Sequence, residues 1–322
     1  STIVCRRGHR VKSNLLCGTC KEEPVVLPLD PGPIIPVPEI LQSVVLIGLW
    51  DPAARQIRSV GSGFVVDKKF GLIATAGHVI FNMEEGSRHY GTPYLGIEGA
   101  KVVIGVMPDK EKKNAVWRYF AQILADDVRN NVDACILRIT SRMESDVDEE
   151  SPGCDTPELE LDASGIKEQN LNKLKLETHF ELEQAVRIIG YSQGDGKEEP
   201  GSRRRIIRSP DFERGYVVRL FSANLSDDSS SSSDSESKNT FSPREEIVIR
   251  CRTIVGHSGG PCVNDDGAVV GILSRADPTD PHRCFLVPGT QLKQLLRRAK
   301  GLCSRPVYST PRDDVPARYK SM

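Results

Sequence analysis

Short runs of β-branched and aliphatic residues, each closed by Gly, Pro or Asp, recur along the chain and leave little room for anything but sheet. SVVLIGLW, GSGFVVD, GLIATAGHVI, KVVIGVM and DACILRI form a first series, and AVRIIGYS, RRIIRS, GYVVRLFSA, EIVIRCRTIV, GAVVGILSR and RCFLVP a second. Such side chains pack well on a pleated surface, and the intervening turn residues interrupt helices. Two clusters of about six strands each predict an all-β fold of two small barrels or sandwiches. QLKQLLRRAK, with Leu292, Leu295 and Leu296 at helical spacing, predicts one helix near the C-terminus. A net charge of −1 gives no reason to expect nucleic acid or an anionic membrane as partner. No apolar run is long enough to cross a bilayer.

Composition divides the rest. Residues 1–23 are basic and Cys-rich, and residues 24–40 carry Pro24, Pro28, Pro31, Pro33, Pro36 and Pro38. Repeated Pro fixes φ and removes donors, so this stretch reads as an extended linker. Residues 41–140 hold the first strand series and residues 185–300 the second. Between them, residues 141–184 open on an acidic insertion, and within the second series 226–240 is a Ser/Asp-rich tract. Neither can bury apolar surface, so both read as solvated loops, with phosphorylation of the Ser-rich tract a secondary expectation. Residues 301–322 read as a tail.

The strongest chemical motif is Gly256-His257-Ser258-Gly259-Gly260-Pro261. A nucleophilic serine needs backbone freedom on both sides. A glycine two positions earlier lets a main-chain N–H join that of the serine in facing an oxyanion, and glycines after it allow close approach. The same residues satisfy the elbow motif of α/β-hydrolases, which requires a helix next, then an acid and finally a histidine. Here Pro261 and VNDDGAVVGIL follow, reading as strand, Asp-Gly turn and strand. The sole histidine beyond Ser258 is His282, so the esterase order fails.

The base must therefore precede the serine. His78 ends an apolar strand directly after the small residues Ala74-Thr75-Ala76-Gly77, a setting that His9, His89, His179 and His257 lack. Asp133 stands at the mouth of DACILRI, where an acid can accept an imidazole N–H and fix its tautomer. Asp126 and Asp127 are rivals in a more polar stretch. His–Asp–Ser is the chain order of the chymotrypsin class.

These residues also carry a resemblance. GSGFVVDKKFGLIATAGHVI is similar to the strand–turn–strand ahead of the catalytic histidine in HtrA/Deg-type serine proteases. VDACILRI resembles their aspartate strand, VGHSGGPCVNDDGAVVGILSR their serine region, and FLVPGTQLKQLL their closing strand and helix. The likeness spans residues 41–300 and implies a chymotrypsin-like double β-barrel with a C-terminal helix. It implies His78 as general base, Asp133 as orienting acid, Ser258 as nucleophile, and the N–H groups of Gly256 and Ser258 as oxyanion hole. Ser274 would fall in the strand lining the substrate groove, and Arg252 near the base of the specificity pocket. A cation there would favour acidic side chains.

Departures from the secreted relatives set further expectations. His257 stands where those relatives carry the aspartate that pairs with a released N-terminus, and Val79 replaces the Cys after the catalytic histidine. Cys251 and Cys262 do not match the secreted disulfide spacings, which favours free, buried thiols in a reducing, intracellular setting, cytoplasmic or nuclear. The residues after the last helix are too few for the PDZ domain usual in HtrA proteases.

At the N-terminus, Cys5, His9, Cys17 and Cys20 offer a Cys3His set with knuckle spacing for one structural Zn²⁺, forming a small zinc-finger-like segment. Free thiols in a tail are the alternative. No cofactor is expected for catalysis. The functional expectation is a serine endopeptidase acting on polypeptides through an acyl-enzyme. The rival is a catalytically silent protease fold used as an interaction module, docking a protein partner through its zinc segment.

Overall fold

The structure is a computed structural model that describes residues 2–5, 24–27, 40–53, 56–84, 86–95, 100–107, 115–147, 158–160, 171–193, 206–223, 244–252 and 255–304. Strand β1 (Thr2–Cys5) pairs antiparallel with β2 (Pro24–Leu27), setting Cys5 opposite Pro24. Of the expected zinc ligands, His9, Cys17 and Cys20 lie outside the described residues, and Cys5 is described as backbone alone. The Ser/Asp-rich tract at 226–240 also lies outside them.

The first strand series forms one sheet. It comprises β3 (Val44–Asp51), β4 (Gln56–Asp67), β5 (Leu72–Thr75), β6 (Lys101–Val106), β7 (Val116–Asp126), β8 (Cys135–Val147) and β9 (Glu158–Glu160). Their order is β5-β4-β3-β6-β7-β8-β9, and β5 pairs with β8 as well, turning the sheet back on itself. Every position of β3 from Val44 to Trp50 is buried, as in a strand covered on both faces.

The second series makes a closed barrel in the order β10-β11-β12-β15-β14-β13. Its strands are β10 (Ala185–Gln193), β11 (Ile206–Ala223), β12 (Arg244–Cys251), β13 (Pro261–Asn264), β14 (Val269–Ala276) and β15 (Arg283–Pro288). Helix α1 (Gly289–Cys303) follows and buries Leu292, Leu295, Leu296 and Ala299, the face its leucine spacing predicts. It lies against β7 and β8 of the first sheet and β14 and β15 of the second, so it ties the two halves together.

One difference from the sequence reading has a physical cause. The first sheet does not end at residue 140: β8 continues to Val147, with Met143 wholly buried, and Glu158–Glu160 pairs onto it at Ser141–Met143. Acidic composition hid one apolar side chain on the inner face of the strand. Beyond the acidic stretch, the connection at 171–184 packs into the fold. Leu171 and Leu174 are buried, Leu174 N–H donates to Val65 O, and Val269 N–H donates to Lys175 O. The crossing chain is thus bonded to both sheets.

Candidate active site

Strand register brings His78 to Asp133. β5 ends at Thr75, which pairs with Cys135, the first residue of β8. Two further residues on each antiparallel chain place the 3-10 turn Gly77–Val79 level with Asp133. Gly77 makes the approach possible, because a Cβ there would lie 2.6 Å from the Val128 side chain and 3.2 Å from Asp133 Oδ1. Asp133 Oδ1 accepts the His78 backbone N–H at 2.7 Å, and its Oδ2 lies 2.8 Å from His78 Nδ1. The rivals sit elsewhere: Asp126 accepts the Val128 N–H, and Asp127 pairs with Arg298.

Ser274 completes the carboxylate's partners from the other barrel. It is 2% exposed, and its hydroxyl donates to Asp133 Oδ2 at 2.5 Å. The strand was expected to line the substrate groove, but this hydroxyl is committed to the acid. Burial alone would raise the Asp133 carboxyl. The neighbouring His78 charge, the His78 ring N–H, the Ser274 hydroxyl and the His78 backbone N–H outweigh it and hold the group below the ordinary carboxylate value. An ionised acid in this place fixes the His78 ring with its proton on Nδ1, leaving Nε2 to exchange one.

The loop carrying Ser258 is fastened through its main chain. Ser62 N–H donates to Ser258 O at 2.8 Å, Gly259 N–H to Leu273 O at 2.9 Å, and Leu273 N–H to Gly260 O at 3.0 Å. Gly256 has φ 103° and Gly259 φ 82°, conformations that disfavour any Cβ. A Cβ on Gly259 would stand 2.2 Å from Thr75 Oγ1 and 2.9 Å from Ala76 N. The residue after Ser258 therefore touches the end of the strand that carries His78. His78 keeps a third of its side chain exposed and Ser258 is partly exposed, so both remain open to solvent.

Three features of the site were not legible in the sequence: the contacts of Ser62, the partner of His257 and the exposure of Val255. Ser62 donates its hydroxyl to Gly256 O at 2.8 Å and accepts the Tyr191 N–H at 2.8 Å, linking the first sheet, β10 and the serine loop. His257 is wholly buried, with Nε2 2.5 Å from Asp211 Oδ1. Val255, next to Gly256, is 72% exposed. Arg252 is exposed one residue beyond β12. Among the described residues, no group of three or more His, Cys, Asp or Glu side chains is placed to hold a metal ion. No described helix is long and apolar enough to cross a membrane.

The arrangement joins an acid-held imidazole to a serine on a glycine-rich turn, the elements of acyl transfer. Solved structures with a similar arrangement of chain include the Rv3671c protease from M. tuberculosis in its active form. It is 17% identical over 85% of this chain and 94% of that chain, with a TM-score of 0.47. The inactive form of that protease is 16% identical over 82% and 91%, with a TM-score of 0.45. No curated protein matches the chain. The model of the trypsin-like peptidase domain matches residues 61–272. That span is more than half of the chain and includes His78, Asp133 and Ser258, and the protein belongs to the trypsin-like peptidase domain family.

Proposed function

We propose that the protein is a serine endopeptidase in which Ser258 is the nucleophile, His78 the general base and Asp133 the orienting acid. The observation that carries this reading is the shared carboxylate. One buried acid receives His78 from the first sheet and Ser274 from the second barrel, beside the turn that bears Ser258. Ser258 Oγ attacks the peptide carbonyl carbon while its proton passes to His78 Nε2. Asp133 stabilises the imidazolium, and the N–H groups of Gly256 and Ser258 receive the oxyanion. The C–N bond then breaks as His78 returns the proton to the leaving amine. Water attacks the acyl-enzyme by the same relay and frees Ser258. Within the family, the motifs around His78, Asp133 and Ser258 favour an HtrA/Deg-type relative.

Two further proposals accompany it. A reducing, intracellular setting is supported by Cys135, Cys251 and Cys262, which are buried free thiols. Structural zinc on Cys5, His9, Cys17 and Cys20 is supported by the pairing of β1 with β2, which holds together the ends of the segment bearing those residues. Such a metal would order the segment and take no part in the reaction.

A fluorophosphonate probe tests the assignment. The wild-type chain is expected to be labelled on Ser258, and His78→Ala to abolish labelling. Ser258→Ala is expected to lower peptidase turnover by about 10⁶-fold. Removing residues 1–23 is expected to remove bound zinc and leave labelling intact. Undiminished cleavage by Ser258→Ala sinks the nucleophile, and a folded wild-type chain inert to probe and peptide favours the silent interaction module.

A further inference from the structure

A buried histidine directly before the nucleophile has no role in the relay described above. His257 is fully buried and reaches away from the site toward β10 and β11. Its Nε2 lies 2.5 Å from Asp211 Oδ1, and Asp211 Oδ2 accepts the Ser192 hydroxyl at 2.8 Å. Among the described residues no partner reaches His257 Nδ1. Among the described residues the imidazole is held by one bond, and that bond ends on a carboxylate.

The strands are shaped to receive it. Asp211 stands opposite Gly190 in the β10–β11 register. A Cβ on Gly190 would come 2.8 Å from His257 Cα and 3.1 Å from its Cδ2. The missing Cβ is the space the histidine fills, and Asp211 closes the slot. Partial burial works to raise the Asp211 carboxyl, but the hydrogen bonds from His257 and Ser192 outweigh it and keep the group ionised.

On its other side the same loop is held by Ser62, through Gly256 O and Ser258 O. From the second barrel the turn is held twice, by the Leu273 main chain at Gly259 and Gly260 and by the His257–Asp211 pair. Of these holds only the His257–Asp211 pair carries charge, and it acts one residue from Ser258. Displacement of a reacting group by about 1 Å can cost on the order of 100-fold in rate.

We propose that the buried His257 and the half-exposed Asp211 form a latch that positions the Ser258 turn against β10 and β11, so that Ser258 Oγ and the N–H groups of its turn meet the substrate in register. Both are positioning residues and neither touches the reacting atoms. The proposal rests on Ser258 being the nucleophile.

The test is the kinetics of fluorophosphonate labelling, split into the saturating rate and the half-saturating concentration. Asp211 is 41% exposed at its side chain, so its replacement removes little buried volume, and thermal unfolding of each variant checks that the fold is kept. Asp211→Ala is expected to slow the saturating rate about 30- to 100-fold without moving the half-saturating concentration. Asp211→Asn, which keeps an oxygen to accept the Nε2 proton, is expected to recover most of the rate. In a His257→Asn background Asp211→Ala is expected to change the rate less than about twofold, because its effect travels through the imidazole. A full rate in Asp211→Ala, or the same loss with and without His257, overturns the latch. Labelling of the wild type separates this from the larger reading: a labelled wild type with an indifferent Asp211→Ala defeats the latch alone, and an unlabelled wild type defeats both.

Discussion

The first sheet and the second barrel hold their proposed catalytic residues in different ways. In the first, one carboxylate does the holding: His78 is tied to Asp133 by its ring and its backbone N–H, at the ends of two buried strands. In the second, the holds are spread along the turn: Ser258 rides on a chain segment held by Ser62 and Leu273, mostly through its main chain, and by the His257–Asp211 pair beside it. The interiors differ in the same sense. Phe64, Phe81, Trp117, Tyr119 and Phe120 fill the first core, whereas the cluster inside the second barrel consists of Val, Ile, Leu and the cysteines Cys251, Cys262 and Cys284. Charge then takes over part of the task in the second barrel, through Arg250–Asp280, Arg275–Glu246 and Arg283–Asp277. One half is filled by large apolar side chains. The other adds polar clasps around the turn that bears Ser258.

The sharpest way to break this comparison is at the shared carboxylate, which both halves bind. Asp133→Asn keeps the size of the side chain but offers an N–H where His78 and Ser274 need acceptors. The imidazole then loses the partner that sets its tautomer, and turnover is expected to fall about 10⁴-fold. Steady-state peptidase kinetics check it. A loss under tenfold would mean that His78 is oriented by something other than Asp133.

The cores are compared next by chemical denaturation. Trp117→Ala removes a large buried ring from the first core and is expected to cost about 3–5 kcal/mol. Cys262→Ala removes one sulfur, close to a methyl group in size, and is expected to cost about 1–2 kcal/mol. Equal losses would contradict the division into an apolar half and a clasped half.

The apolar half is also the half that sequence reveals best. Its strands are dense in Val, Ile and Leu, and the residues at their ends, His78 and Asp133, stand out against that background. Ser258 is legible for another reason: its turn needs glycines, and glycines in that order are conspicuous. The clasps are not legible, because each joins residues far apart in the chain. Ser62 and Gly256 are 194 residues apart, Asp133 and Ser274 are 141 apart, and Asp211 and His257 are 46 apart. No local spacing links such pairs, and a Ser on a strand or an Asp beside Pro210 has many unremarkable uses. Where β8 runs into acidic sequence, composition misled in the same way, since alternation matters there more than charge.

The smallest effect concerns acid, and it belongs to the clasped half. Asp277 closes the β14–β15 turn by accepting the Thr279 N–H and hydroxyl and the Arg283 guanidinium. Burial works to raise its carboxyl, but these donors outweigh it and bring the group from 3.8 down to about 2. A carboxyl lowered in the folded chain binds its proton more readily when unfolded, so its contribution to stability is complete above pH 3.8. That contribution fades as pH falls from 3.8 toward 2. Asp277→Asn lacks this titration and has only a weak hold on Arg283. It is therefore expected to melt a few degrees below the wild type near neutrality, the gap closing toward about pH 2. Thermal unfolding across that range measures it. Melting curves that stay parallel down to the acid limit would show that the turn is held by its backbone alone, and the second barrel would then owe less to charge than its ion pairs suggest.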